Sequence, residues 1–285
     1  MKKIITVFIL LNCLSAKLFS QQQPDIFLPE NVQMGTLLDS TVTASFGNNA
    51  YMDIWERIWV KSNQNLTCID FMRDSLEINY ITLDGQSKIN DICWLGNGNM
   101  FIANDSALLS LDSTGYRVIY YLPYPKMKIA AAANTDSIYI FGFSPKKKEY
   151  DISVVSVTGQ ITRLFSLKDQ VKGVAGNGNI SIVVLSKELL LFSKKVKPTV
   201  FYRANSEIRS IAVTDFGGIF IATQKGITYL ENMKKAYTFS NVGAKKLWNI
   251  NDKLYALFDD GTFAVIYPIS QFENFTQNIR QKQNK

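Results

Sequence analysis

Short apolar runs recur along this chain at intervals of about 40 residues. Six runs of three residues occupy the same place in a repeated pattern, and they begin at Ile58, Met100, Ile138, Ile180, Ile219 and Leu254. The intervals between these positions are 42, 38, 42, 39 and 35 residues. A unit of this length, built from short strands, has the size of one four-stranded propeller blade.

Each unit shows the same internal order. An apolar strand such as 209–213 is followed by a turn rich in Asn, Asp and Gly, as in 96–99, and then by the strand that carries the repeated run. A polar turn, a third strand such as 227–231 and a fourth strand such as 236–240 complete the unit. One such unit cannot cover both of its apolar faces, so neighbouring units must stack around a ring.

The pattern therefore predicts an all-β fold that is a single β-propeller. We expect six blades, with seven as the alternative if residues 35–39 form a third strand. The last unit ends near Tyr267 before an obvious fourth strand. An N-terminal strand around 41–46 is therefore expected to complete this unit and close the ring. The alanine run 130–133 would suit a helix, but it occupies a first-strand position and is interpreted as a strand.

The N-terminus has the pattern of a secretory signal peptide. Lys2 and Lys3 precede an apolar run over 4–14, and small or polar residues follow near Ser20. The expected organisation is a signal peptide over 1–20, an N-terminal segment over 21–34, the propeller over 35–270 and a polar tail over 271–285. The expected location is the periplasm, the cell surface or the medium. Asn before Cys13 fits a lipoprotein cleavage box poorly, so lipidation is not expected.

Composition excludes several kinds of chemistry. The chain contains no histidine, which rules out Ser-His-Asp catalysis and histidine-ligated zinc. Without residues 1–20 the net charge falls from +7 to about +4, and the lysines are scattered among carboxylates, so no nucleic-acid partner is expected. No cofactor or metal motif and no transmembrane segment is found. Cys68 and Cys93 are expected to be small buried residues in preference to a disulfide.

The segment 209–232 resembles the two-component-regulator propeller repeat. The matching elements are Ile211, Asp215, the pair Gly217-Gly218, the pair Gly226-Ile227 and Tyr229. Proteins with this repeat are often periplasmic sensor regions of bacterial receptors, commonly for carbohydrates. The mixture of Lys, Asn and Ile also resembles exported proteins of Bacteroidetes bacteria. The resemblance implies a stand-alone exported propeller, since the kinase parts of such receptors are lacking.

A candidate site follows from the repeat. The segment that enters the first strand of a blade lies on the same propeller face as the turn between the second and third strands. Five of the six units carry a basic residue at this entry position, namely Lys88, Lys128, Lys172, Arg209 and Lys246. These residues are predicted to form a broken basic ring that attracts a carboxylate, sulfate or phosphate. The alternative is ordinary solvated surface charge.

Other candidates have structural interpretations that we favour. The lysine clusters 146–148 and 194–195 are interpreted as solvated hairpin tips. Tryptophan rings can serve as sugar-stacking platforms, but packing between blades is favoured for Trp55, Trp59, Trp94 and Trp248. The carboxylates considered for enzyme chemistry are Asp53, Asp91, Asp259 and Asp260, and the last two are interpreted as turn residues.

These observations favour a non-catalytic binding or scaffold propeller that presents loops to an acidic oligosaccharide or an envelope protein. One alternative is a hydrolase or lyase that acts on carbohydrate through carboxylate, Tyr or Lys groups at the channel mouth. Another is an accessory subunit of a secretion or surface assembly. Outside an assembly the protein is expected to be a monomer.

Overall fold

Six four-stranded antiparallel sheets form a six-bladed β-propeller, as the repeat predicted. The computed structural model describes residues 33–38, 49–70, 77–83, 88–112, 115–132, 135–176, 181–193, 196–215, 217–231, 233 and 235–269. Over these ranges no helix has the length and apolar composition needed to cross a membrane.

Strand β1 (Gln33–Leu38) comes first in the chain but belongs to the last blade. Blade 1 contains β2 (Ala50–Met52), β3 (Ile58–Ser62), β4 (Asn65–Asp70) and β5 (Glu77–Thr82). Blade 2 contains β6 (Asp91–Trp94), β7 (Met100–Ala103), β8 (Ala107–Asp112) and β9 (Gly115–Tyr121). Blade 3 contains β10 (Lys128–Ala132), β11 (Ser137–Ser144), β12 (Glu149–Ser156) and β13 (Ile161–Leu167).

The second half of the ring repeats this order. Blade 4 contains β14 (Gly173–Gly176), β15 (Ser181–Val184), β16 (Glu188–Ser193) and β17 (Val196–Arg203). Blade 5 contains β18 (Ile208–Val213), β19 (Ile219–Thr223), β20 (Gly226–Glu231) and β21 (Lys235–Ser240). Blade 6 contains β22 (Ala244–Ile250), β23 (Lys253–Phe258) and β24 (Phe263–Tyr267), with β1 as its fourth strand.

An N-terminal strand closes the ring, but it lies upstream of the predicted position. β1 pairs antiparallel with β24, and Met34 is opposite Ile266 while Gly35 is opposite Val265. The stretch 41–46, which was expected to close the ring, lies outside the described residues. Residues 35–38 thus belong to a fourth strand and not to a third, which excludes the seven-blade alternative. Since both stretches have strand character, their local pattern did not distinguish which one pairs with β24.

The core is divided among the contacts between neighbouring blades. One buried apolar cluster joins each successive pair of blades, and a sixth joins blade 6 to blade 1. Between blades 5 and 6, for example, Phe220 and Phe239 pack in the same cluster as Leu254. The first strands of blades 2 to 6 contact one another in ring order, so they surround the centre. The predicted stacking of incomplete units is therefore confirmed.

Backbone geometry explains the Gly-Ile pair of the repeat. Gly226 has a φ of 149°, and a Cβ added there would lie 2.1 Å from the backbone oxygen of Ser240 in the neighbouring strand. Any other residue would displace β21 from β20, so the glycine is a requirement of strand pairing.

Both described cysteines are buried and free, as predicted. Cys68 lies in β4 and Cys93 in β6. Burial raises the pKa of the Cys68 thiol to about 11 and also raises the pKa of Cys93. Since the thiolate is the reactive form, both side chains behave as small core residues.

A buried carboxylate ties the last blade to the first. Glu56, in the turn between β2 and β3, accepts hydrogen bonds from Lys253 Nζ at 2.7 Å, Tyr255 Oη at 2.6 Å and Asn251 Nδ2 at 3.0 Å. Glu56 has a φ of 66°, in the left-handed region that a non-glycine residue occupies only when its surroundings hold it. Burial alone would raise the pKa of Glu56, but these three hydrogen bonds outweigh it and lower the pKa below its ordinary value.

We predict that Tyr255→Phe lowers the free energy of unfolding by about 1.5–3 kcal/mol, because Glu56 loses one hydrogen bond to its charged form. The ring of residue 255 stacks on Phe263 in either case, so the change is confined to the hydroxyl. Urea denaturation measures the effect. Tyr80→Phe is the matched control, since Tyr80 is 73% exposed on an outermost strand, and it should change stability by less than about 0.5 kcal/mol. Equal stability of the two variants would contradict this role for Glu56.

Candidate functional site

The five predicted basic residues lie where each chain segment enters its first strand. Lys88 and Lys172 precede β6 and β14, Lys128 begins β10, and Arg209 and Lys246 lie near the start of β18 and β22. The entry segments contact the turns between second and third strands. For example, the Ile89 N–H donates a hydrogen bond to the Asn63 carbonyl oxygen at 2.6 Å. We call this side of the propeller the mouth face.

Two of the five residues are neutralised by carboxylates of the next blade. Lys172 forms an ion pair with Glu207, which precedes the first strand of blade 5. Arg209 donates through one terminal nitrogen to both carboxylate oxygens of Asp259, at 2.7 and 2.8 Å, and Asp259 lies in a turn of blade 6. These pairs link blades 4, 5 and 6 along the mouth face and balance the charges of Lys172 and Arg209.

The other three residues gather with a lysine that the sequence analysis did not select. Lys61 lies near the end of β3, next to the turn between the second and third strands of blade 1. That turn position was assigned to the mouth face, so extending the search from the entry segments to these turns would have found it. We call Lys61, Lys88, Lys128 and Lys246 the basic cluster.

Electrostatics links the members of the basic cluster to each other. Burial lowers the pKa of Lys61, the charge of Asp91 opposes that shift, and the like charges of Lys88 and Lys128 add to it. Burial likewise lowers the pKa of Lys246, again opposed by Asp91, while Lys128 and Lys61 add to the shift. Lys61 is therefore within electrostatic range of the other three lysines, and Asp91 attracts both Lys61 and Lys246.

That carboxylate is held in place by two neighbouring blades. Asp91 Oδ1 accepts a hydrogen bond from Tyr51 Oη at 2.7 Å, and Asp91 Oδ2 accepts one from the Ile129 N–H at 3.1 Å. Lys246 Nζ lies 5.2 Å from the centre of the Tyr51 ring, which is cation–π distance. Burial and the charge of Asp91 raise the pKa of Tyr51 well above its ordinary range, so its proton stays on the phenol.

The basic cluster carries unbalanced positive charge. None of its four lysines forms an ion pair with a carboxylate in the described part of the chain. Asp91 attracts Lys61 and Lys246, and its two oxygens already accept hydrogen bonds. An anion at this place would reduce the repulsion and gain charge-assisted hydrogen bonds.

The remaining carboxylate candidates have structural roles. Asp53 is 1% exposed, and its oxygens accept hydrogen bonds from Arg57 and from Trp59 Nε1. Asp260 Oδ1 accepts the Thr262 N–H at 2.8 Å, which is the turn role that was predicted. In the described ranges no group of three or more acidic or cysteine side chains is arranged to hold a metal ion.

Three of the four tryptophans pack between strands, as expected. The rings of Trp59 and Trp94 lie 5.7 Å apart between blades 1 and 2. Trp248 contacts Phe263 edge-on at 6.2 Å. Trp55 is the exception, since 53% of it is exposed. Packing between blades was expected for this residue and is only partial, because Trp55 lies in a turn and only the edge of its ring reaches Gly98 of blade 2.

Solved structures with this fold have diverse activities. A virginiamycin B lyase from Staphylococcus aureus bound to quinupristin is similar with a TM-score of 0.58 and 13% identity, over 76% of this chain and 78% of that one. An auxiliary nutrient binding protein from Bacteroides thetaiotaomicron is similar with a TM-score of 0.56 and 12% identity, over 83% of this chain and 76% of that one. Regucalcin from Agrobacterium tumefaciens, a calcium-binding protein, is similar with a TM-score of 0.56 and 13% identity, over 77% of this chain and 89% of that one.

Sequence identities this low show a shared fold and nothing more. At the level of the fold, the expected similarity to bacterial propellers is confirmed, and Bacteroides proteins are among them. No protein-family model matches the chain. No curated protein matches it either.

The lysine cluster 146–148 is exposed at a hairpin tip, as predicted, but Lys147 also has a structural partner. Its ammonium lies 2.8 Å from Asp151 Oδ2, and Asp151 accepts further hydrogen bonds from Tyr124, Ser166 and Arg163. Burial alone would raise the pKa of Asp151, but the hydrogen bonds from Lys147, Ser166 and Tyr124 lower it to about 2. The second cluster, 194–195, lies outside the described residues.

We predict that Asp151→Asn destabilises the fold at neutral pH and that the difference shrinks in acid. A carboxyl whose pKa is depressed by folding contributes stability above about pH 4, and this contribution is lost as the pH falls towards about 2. Urea denaturation at several pH values between 2 and 7 measures both curves. Asp169→Asn is the control, because Asp169 is exposed in a loop, and it should follow the wild type. Parallel curves for wild type and Asp151→Asn would contradict the prediction.

Proposed function

We propose that this protein is an exported, non-catalytic binding propeller whose basic cluster holds an anionic group of a glycan. The observation that carries the proposal is the convergence of Lys61, Lys88, Lys128 and Lys246 without ion-pair partners among the described residues. A carboxylate, sulfate or phosphate on a polymer offers the matching charge. Since such groups recur along acidic polysaccharides, a site on one face of the propeller can hold one part of a long chain.

Of the five basic residues selected from the sequence, we assign Lys88, Lys128 and Lys246 to ligand binding. We assign Lys172 and Arg209 to the links between blades, because Glu207 and Asp259 already compensate their charges. Lys61 takes their place in the proposed site. This division makes the two groups of residues experimentally separable.

The lysine-led apolar run at the N-terminus supports export, and export would place the protein where polysaccharides are found. The fold does not choose between activities, since a lyase and a nutrient binding protein share it. The choice of a binding role therefore depends on the site itself.

A second candidate function is a carbohydrate lyase or hydrolase. Tyr51, Asp91 and Lys246 lie together at the mouth and offer groups that can hold or transfer protons. Product formation from an acidic polysaccharide would favour this candidate. A third candidate is a scaffold for an envelope protein. Co-purification with an envelope complex would favour this candidate.

We predict that acidic oligosaccharides raise the melting temperature of residues 21–285 and that neutral ones do not. Oligosaccharides of galacturonic acid and of sulfated chondroitin are suitable acidic probes, and xylo-oligosaccharides are neutral probes. Ligand at a hundred times its dissociation constant adds about 2.7 kcal/mol, which is roughly 5–10 °C for a domain of this size. Differential scanning fluorimetry measures the shift.

The double variant Lys128→Gln/Lys246→Gln should lose most of this shift. Lys146→Gln/Lys168→Gln is matched to it, because it removes the same charge from two exposed positions outside the basic cluster, and it should keep the shift. Lys172→Gln should also keep it. An identical response of the first two variants would refute the assigned site, and a lack of any shift would direct the search to a protein partner.

A further inference from the structure

The exposed Trp55 belongs to an ordered group on the face opposite the basic cluster. It lies in the turn between β2 and β3, whereas the mouth face carries the turns between second and third strands. The side chain is 53% exposed, although Trp59, four residues later, is 6% exposed. A large aromatic ring left in water costs hydrophobic free energy.

A buried carboxylate fixes the turn that carries this ring. Asp53 Oδ1 accepts the N–H groups of Trp55 at 3.0 Å and of Arg57 at 2.9 Å. Asp53 Oδ2 accepts Arg57 Nε at 2.7 Å. The backbone of the turn and the direction of the Arg57 side chain are therefore set by one residue, Asp53, that is 1% exposed.

The next blade holds the edge of the ring. Gly98, in the corresponding turn of blade 2, has a φ of 87°, and a Cβ added there would lie 2.4 Å from Trp55 Cη2. Only glycine lets the ring lie against this turn. Asn97 and Asn99, on either side of Gly98, are exposed, and Asn97 Oδ1 accepts the Asn99 N–H at 3.0 Å, which orders this turn.

A guanidinium group completes the arrangement. Arg57 Cζ lies 4.8 Å from the centre of the Trp55 ring, and its side chain is 31% exposed. Arg57 Nε is used by Asp53, but the two terminal nitrogens donate no hydrogen bond to any described residue. These two nitrogens can bind a carboxylate with two parallel hydrogen bonds.

We propose that Trp55 and Arg57 form a second binding site, which takes one sugar unit of a uronic-acid chain. The apolar face of the sugar ring packs on the part of the Trp55 ring that the guanidinium leaves uncovered, and its carboxylate pairs with the terminal nitrogens of Arg57. A preformed flat ring beside a planar hydrogen-bonding group fits a pyranose acid, since both parts of the sugar find a partner without rearrangement. The site is separate from the basic cluster and does not depend on it.

The test uses Lys128→Gln/Lys246→Gln as the background, so that binding at the mouth face is suppressed. A tetrasaccharide of galacturonic acid is titrated by isothermal calorimetry into this protein and into the same protein with Trp55→Ala. Trp55→Ala should weaken binding about tenfold, the scale of one aromatic stacking contact. Trp55→Phe should restore most of the affinity, and Tyr80→Ala, at an exposed tyrosine of the same blade, should leave it unchanged.

The carboxylate contact has its own probe. The fully methyl-esterified tetrasaccharide keeps the sugar ring but lacks the charge, and it should bind about tenfold more weakly than the acid form. This comparison avoids changing Arg57, whose loss would also disturb Asp53. Equal binding by the background protein and its Trp55→Ala form, or no measurable binding of the acid form to the background protein, would overturn the proposal. Neither result would bear on the basic cluster, which the experiment leaves out.

Discussion

The antiparallel pairing of β1 with β24 is the constraint on which the rest of the structure depends. Every blade covers its apolar faces only against its neighbours, so separating one pair of blades exposes two faces to water. Blades 1 to 6 follow each other along the chain, and β1 is the segment that connects blade 6 back to blade 1. The hydrogen bonds that Glu56 of blade 1 accepts from Lys253 and Tyr255 of blade 6 reinforce the same junction.

Ring closure also assembles the candidate site. Lys246 comes from the last blade, and it acts on Lys61 of the first blade and Asp91 of the second only because the ring is closed. Bringing like charges together lowers stability, and burial adds to this cost. A single aspartate, held by Tyr51 and Ile129, offsets part of the repulsion. An arrangement that costs stability and leaves charge unbalanced is typical of a place where a ligand supplies the missing countercharge.

The two faces of the propeller differ in how they use acidic residues. On the mouth face, Glu207 and Asp259 form ion pairs with Lys172 and Arg209, whereas the lysines of the basic cluster form none among the described residues. On the opposite face, Asp53 and Glu56 are buried and shape the turn between β2 and β3. That turn presents Trp55 and Arg57 on a rigid base. One framework thereby carries two surfaces of different chemistry, and the residues that differ between blades lie in the turns.

Local pattern alone determined the blade unit, the number of blades and the burial of Cys68 and Cys93. These features follow from strand alternation and turn composition within about 40 residues. Tertiary structure decided which residues of the predicted ring keep their charge, because Lys172 and Arg209 find their carboxylates 35 and 50 residues away. It also brought Lys61 to the site and left Trp55 exposed while burying Trp59. Such outcomes depend on which segments of distant blades come into contact, and a repeat in one chain does not encode the contact partner of each copy.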